Sequence, residues 1–335
     1  MEAIIRNCLS ELKLGEVQAF ENMEVFPLFK AVNGGPPYAV LKEALEKQMI
    51  VITELHESGS VPQLKVINHS EQFVLLLDGE ELMGAKQNRV LNASILLKGK
   101  SETVIPVSCT EQGRWSYRSA AFHDSDLIMT AKVRSRKSRS VAASLQRERS
   151  FCSDQGEVWT EIDSLHRKAN VGSETGAMKD VFTARGRDLE GYLNAFPYSA
   201  GQTGILVRVN GRVVGMDLLS RQAAFEQIHS KLVKSYAMDA MLERSGRTGT
   251  TTAQTPESFL EEAKSLRENR FESPGVGYDY RLEGARAVGS ALVYEGAIIH
   301  LALFGLEEPR HVDPMSGYRR RRGFRRPPFP DGPIE

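Results

Sequence analysis

In TGILVRVNGRVVGMDLLS, residues 203–220, two alternating apolar segments meet at Asn210-Gly211, the dipeptide that best tolerates the positive φ angles of a type I′ turn. The segment predicts a β-hairpin. Near the end of the chain, GSALVYEGAIIHLALFG predicts a second pair of strands around Glu295-Gly296. These late strands, Gly204 to Asp217 and Ser290 to Phe304, are expected to join a sheet with earlier ones.

The first hundred residues supply such partners. Val25, Phe26 and Leu28 form a short strand, which the turn residues of NGGPP end. From Tyr38, apolar residues recur at Leu41, Ala44 and Leu45 with helical spacing. MIVITEL, LKVINHS and QFVLLLDGE follow as strands, the last apolar throughout and therefore expected to be central and buried.

Later segments change character. KVRSRKSRS, residues 132–140, is basic, rich in serine and nearly free of apolar residues, which predicts an exposed loop. Helical patterns follow at Val141 and Leu145 and at Val158, Ile162, Leu165 and Ala169. A further helix carries Phe225, Ile228, Leu232, Tyr236 and Ala240 along one stripe, with Lys231 and Lys234 off it. RSGRTGTTTAQ predicts a flexible loop ended by Thr255-Pro256, a helix cap followed by proline at the first helical position, and the helix it opens carries Phe259, Ala263 and Leu266.

The expected fold class is α+β, with mixed, largely antiparallel sheets, a helix-rich middle and a disordered basic C-terminal tail. Its parts are a strand-rich half over 14–131, the basic loop at 132–140, and helices with the hairpin and closing strands over 141–306. An Arg/Pro-rich tail, 307–335, follows. That tail holds six arginines between Arg319 and Arg326, beside Tyr318 and Phe324. Arginine with aromatics suits phosphate backbones and bases, or an acidic protein; such runs are common, however, and the preferred reading is a disordered solubilising tail.

Charge gives no global steer. Lys plus Arg and Asp plus Glu are each 43, a formal net charge of +0, so any electrostatic partner must be met locally. The N-terminus MEAIIRNCLSELKLGE has early acidic residues and no targeting character. No run approaches the roughly 20 apolar residues of a spanning helix. Cys8, Cys109 and Cys152 are odd in number and far apart, with no CxxC and no histidine at metal spacing. The chain is therefore expected to be soluble, cytoplasmic and reduced, with no membrane partner and no cysteine- or histidine-based metal site.

The chemistry-bearing residues concentrate between Leu77 and Trp115, in two polar clusters, GEELMGAKQNR and SCTEQGRW. An apolar run and a turn separate them, which suggests strand pairing that brings both together. Glu80 and Glu81 stand near Gly84, where a backbone can approach closely, followed by the donors Lys86, Gln87, Asn88 and Arg89. On a strand, Lys86 with Asn88 and Gln87 with Arg89 would face opposite ways. Lys86 or Arg89 could hold a phosphate, and Glu80, Glu81 or Glu111 could act as a base, with metal binding through oxygen the other use of Glu80 or Glu81. Neither GxxxxGK[ST] nor GxGxxG is present, so no glycine pattern points to nucleotide. In the second cluster, Cys109 near Arg114 has the makings of a thiolate nucleophile, but no histidine stands nearby in sequence as its base. Trp115 offers a packing anchor or a stacking surface.

GEELMGAKQNRVLN and IPVSCTEQGRW, with VNGRVVGMDLL and GSALVYEGAIIHLALF, resemble a family named for its association with ADP-ribosylglycohydrolases and rhodanese-type phosphatases. The resemblance covers about residues 14 to 305. It implies a role near NAD or ADP-ribose metabolism, and the matching positions are Glu80, Glu81, Lys86, Gln87, Asn88, Arg89, Glu111, Gln112, Arg114 and Trp115. On that footing the expected ligand is a phosphorylated nucleotide such as ADP-ribose, with Lys86 and Arg89 on phosphate and Asn88 and Gln112 on ribose or base. The alternative is an interaction module that uses its tail. No cofactor is implied. Arg114 is expected to meet Glu81 across the site, since an arginine at a buried strand end needs a carboxylate.

Overall fold

A computed structural model describes residues 1–30, 34–56, 60, 62–243 and 254–306. The loop expected at 244–253 and the tail at 307–335 lie outside the described residues. Helices and largely antiparallel sheets together make an α+β fold.

The largest sheet has nine strands. From edge to edge it runs Lys13–Leu14, Met23–Phe29, Gly204–Val209, Arg212–Leu219, Ala297–Gly305, Ala287–Tyr294, Tyr278–Glu283 and Arg267–Glu272, with Gln18–Phe20 also paired to Met23–Phe29. The late strands thus join an early one, at Leu206↔Phe26 and neighbouring pairs. The hairpin turns at Asn210 and Gly211, with φ of 50° and 76°, the backbone that the Asn-Gly dipeptide tolerates.

Both faces of this sheet are covered, which explains its nearly unbroken apolar runs. Alternate residues divide between two cores: Ile205, Val207 and Val209 pack with Phe225, Leu232 and Tyr236 of helix Gln222–Glu243, whereas Leu206, Leu301 and Leu303 pack with Ile5 of helix Ala3–Glu11 and Phe259 of helix Pro256–Ala263. Thr255 caps that last helix, accepting a hydrogen bond from the Ser258 amide at 3.1 Å.

A six-stranded sheet, ordered Phe122–Ile128, Glu80–Gly84, Arg89–Leu91, Ser101–Cys109, Gln63–Asn68 and Ile50–Glu54, carries the polar signature. A three-stranded sheet, Ile95–Leu97, Phe73–Leu76 and Tyr38–Val40, supplies the one parallel pairing among the described strands. Phe73–Leu76 is its central strand. These sheets enclose a third core with helix Leu41–Glu46.

Two expectations fail for one physical reason. Residues 132–140 are not an exposed loop: they belong to the 18-residue helix Ala131–Glu148, in which Val133, Arg134, Lys137, Val141 and Leu145 are all buried. Arg134 and Lys137 share the inward face with Val141 at spacings of three and four, but their charge disguises it. Lys231 likewise does not lie off the packing stripe; it is fully buried between Glu80 and Asp124. Hydropathy reads such residues as solvent-facing because it cannot see the carboxylate that waits for each. The helices Gln155–Ala169, Met178–Ala184 and Gly186–Ala195 complete the helix-rich middle. No described helix is long and apolar enough to cross a membrane.

Candidate functional site

The signature begins as a tight hairpin. Strand Glu80–Gly84 pairs with Arg89–Leu91 at Glu81↔Val90 and Leu82↔Arg89, and the turn between them passes through Gly84 and Ala85 with φ of 133° and 38°. Glycine is required at 84, since a Cβ there would stand 2.6 Å from the Ser119 hydroxyl and 2.8 Å from the Ala121 carbonyl. Arg89–Leu91 then pairs with Ser101–Cys109 at Cys109↔Arg89. The two polar clusters therefore do converge.

At their junction lies Arg114, 6% exposed. It does not meet Glu81. Its guanidinium pairs instead with Glu111, three residues back, at 2.9 Å from Nε and 2.6 Å from Nη2. It also donates to the carbonyls of Ala85 and Ser116 at 2.8 Å, to the Gly84 carbonyl at 3.3 Å and to Asn88 Oδ1 at 3.2 Å. The nearer carboxylate wins because the turn after Thr110 brings Glu111 under the arginine. Burial alone would raise Glu111, yet Arg114, the Asn88 amide and the Thr175 hydroxyl, all donating to it, hold it below its ordinary value.

Glu80 and Glu81 point elsewhere. Glu80 accepts from the Leu77 amide at 2.8 Å and from Lys231 at 3.0 Å, and its burial raises it even against that cation. Glu81 accepts from the Thr110 hydroxyl at 2.7 Å; burial pushes it up to about 7, and its second oxygen is buried without a hydrogen-bond partner. Arg89 donates to Gln87 Oε1 at 2.6 Å and to Cys109 Sγ at 2.7 Å, so Gln87 and Arg89 do share a face. Burial pushes the Cys109 thiol up, opposed by Arg89, which is the wrong direction for a resting thiolate. Lys86 and Asn88 separate, because residues 85–88 form a turn and not a strand. Asn88 joins the buried network.

Three of the expected residues reach the surface: Gln112 and Trp115, and in part Lys86. The Lys86 ammonium stands 5.6 Å from the Trp115 ring centroid and 5.0 Å from that of Tyr117, and those rings are 49% and 54% exposed. Arg118 lies alongside, 3.9 Å from Glu111, with its side chain mostly in solvent. The loop is pinned from beneath. Besides the Arg114 bonds, Gly113 donates to the Thr175 carbonyl, Ser116 to Lys86 and Arg118 to Ala85, at 2.7, 3.3 and 2.9 Å.

A second polar concentration was missed entirely. Asp217 accepts from Arg134 at 2.9 and 2.7 Å and from the Tyr236 hydroxyl at 2.8 Å; His300 Nε2 stands 3.1 Å away and His300 Nδ1 2.7 Å from the Ser94 hydroxyl. Asp78, with Lys137 and Arg134 against it, and the Asp279–Arg281 pair extend the cluster. Burial would raise Asp217, but Arg134 first and His300 next hold it well below the carboxylate range. The order serine, histidine, aspartate resembles a nucleophilic triad. All three side chains are buried to 3% exposure or less, so no substrate reaches them as they stand. The available signal was isolated polar residues inside apolar strands, Asp217 in VVGMDLL and His300 in AIIHLALF. Among the described residues, no group of three or more His, Cys, Asp or Glu is placed to hold a metal ion.

The chain belongs to the ARG and Rhodanese-Phosphatase-superfamily-associated Protein domain family, whose model matches residues 11–304. No curated protein and no solved structure matches it.

Proposed function

We propose that this member of the family binds a phosphorylated, nucleotide-like ligand on the surface formed by Lys86, Trp115 and Tyr117. The observation that carries the reading is a lysine ammonium within 6 Å of two half-exposed aromatic rings, on a loop fixed by a buried arginine. Planar bases stack on such rings with roughly 1–3 kcal/mol per base. Lys86 and Arg118 would meet the phosphates, and Gln112 a ribose hydroxyl or base edge. Gln87, Asn88, Arg89, Glu111 and Arg114 then serve chiefly to hold that surface in shape, which lowers the ordering cost of binding. The family's association with ADP-ribose chemistry makes ADP-ribose the first ligand to try.

Isothermal titration with ADP-ribose, NAD and AMP, with tryptophan fluorescence in parallel, tests the proposal. Quenching should accompany binding, and Trp115→Ala and Lys86→Ala should each weaken binding about tenfold, the equivalent of roughly 1.4 kcal/mol. Their melting temperatures should stay near wild type. No heat, quenching or thermal shift with any of the three nucleotides would refute the proposal.

A further inference from the structure

A separate groove of about 820 Å³ opens where the outer strand Arg267–Glu272 faces the middle of strand Ser101–Cys109, at Val104 and Pro106, and the end of helix Ala131–Glu148. It shares no lining residue with the Lys86 surface. We infer that this groove is a second ligand site, built for a small organic anion that carries an aromatic ring.

Three features point there. Its volume lies within the range of roughly 300–1,000 Å³ usual for small-molecule sites. Arg149 and Arg270 line it with the carboxylate of Glu272; Arg270 already has the Glu2 carboxylate 3.8 Å away, so the cation left for an anion is Arg149. Arg149 makes no ion pair or side-chain hydrogen bond with any described residue, and it occupies the left-handed region, φ 54° and ψ 32°, as the helix ends. That conformation closes the helix, the Arg149 amide donating to the Leu145 carbonyl, and so fixes where the side chain starts.

The other half of the recognition is apolar. Of the five exposed large hydrophobic residues among those described, Val104 and Tyr278 line this one groove. Arg270 lies 4.8 Å from the Tyr278 ring centroid, which places cation and ring at one rim. The floor is already fixed. Phe151 has the buried Arg281 guanidinium 5.6 Å from its ring centroid, and its carbonyl accepts from the Asn92 amide at 3.1 Å. A ring entering the groove therefore meets a preformed apolar wall, with Arg149 available for its anionic group and Arg270 beside the Tyr278 ring.

Cys152 also lines the groove and is partly exposed, whereas Cys8 and Cys109, the other two cysteines of the chain, are each 1% exposed. It serves as an internal reporter. Wild-type protein is alkylated with iodoacetamide under native conditions and each cysteine peptide is quantified by mass spectrometry. Millimolar phenyl phosphate should slow Cys152 alkylation about threefold or more, the protection expected when the groove is two-thirds filled. In Arg149→Gln/Arg270→Gln, whose circular dichroism and basal Cys152 alkylation rate should match wild type, that protection should vanish. Equal protection by inorganic phosphate or by benzyl alcohol would overturn the combined recognition. No protection in wild type, or protection that persists in the double variant, would overturn the site.

Discussion

Replacing Arg114 by alanine tests whether the signature is a scaffold. The substitution leaves Glu111, 1% exposed, with only the solvent-facing Arg118 at 3.9 Å as a cation, and removes donors from the carbonyls of Gly84, Ala85 and Ser116. Breaking a buried pair on one side costs about 3–5 kcal/mol; the Asn88 amide and Thr175 hydroxyl still serve Glu111, which argues for the lower end. For a chain of this size roughly 2 °C per kcal/mol applies, so the melting temperature should fall by roughly 6–8 °C. A pH series adds a signed check. Glu111 has a lowered folded-state pKa, so its stabilising contribution is complete above the ordinary carboxylate value and is lost as pH falls through the lowered one. The gap between wild type and Arg114→Ala should therefore narrow in acid. Adding Glu111→Gln should recover part of the loss, because no buried charge is then stranded. Differential scanning fluorimetry from neutral pH into acid reads all three results. A melting temperature within 2 °C of wild type at neutral pH, or a gap that widens in acid, would refute the reasoning.

Glu81→Gln should flatten the neutral limb of the pH–stability curve: burial pushes Glu81 up to about 7, so from the ordinary carboxylate range up to that value the fold holds a proton that the unfolded chain has released, and stability falls with rising pH. The variant should gain about 1–3 kcal/mol on wild type at pH 8 in urea titrations, with buried Asp239, also pushed up to about 7, acting alike in both proteins. Gly84→Ala should cost about 2–4 kcal/mol by the same titration, from the Cβ clash with the Ala121 carbonyl and the φ of 133°; a loss under 0.5 kcal/mol would mean that the turn relaxes. Asp217→Leu should cost about 3–5 kcal/mol by leaving the buried Arg134 only Asp78, at 3.6 Å, and adding Arg134→Met should return at least half of it. Failure to recover would show that Tyr236, Ser94 and His300 matter more than the ion pair.

What the sequence made legible was local or periodic. Asn210-Gly211, the Thr255-Pro256 cap and the alternating runs around Val207 and Leu301 each depend on a few neighbours, and each appears where it was expected. The convergence of the two polar clusters was legible too, because an apolar run between polar ends is how paired strands read. Partner choice was not. Arg114 takes Glu111 and not Glu81, Lys231 takes Glu80 and Asp124, and Arg134 takes Asp217, 83 residues away. Such pairs form across elements whose spacing no local pattern encodes.

The buried ions bear on specificity more than on strength. Asp78, Asp217 and Asp279 balance Arg134, Lys137 and Arg281 in charge, yet apolar side chains of similar volume would fill that space at comparable or lower free energy. What apolar residues would not supply is direction. Asp217 lies on strand Arg212–Leu219, His300 on Ala297–Gly305, Arg134 on helix Ala131–Glu148, Tyr236 on helix Gln222–Glu243 and Ser94 beside strand Ile95–Leu97. Each hydrogen bond among these five residues therefore ties two different elements in one register, and a slip of one residue along any strand would turn its polar group to the opposite face and strand a charge. Three sheets with apolar faces have many ways to collapse on one another. A charge-balanced core leaves few of them open.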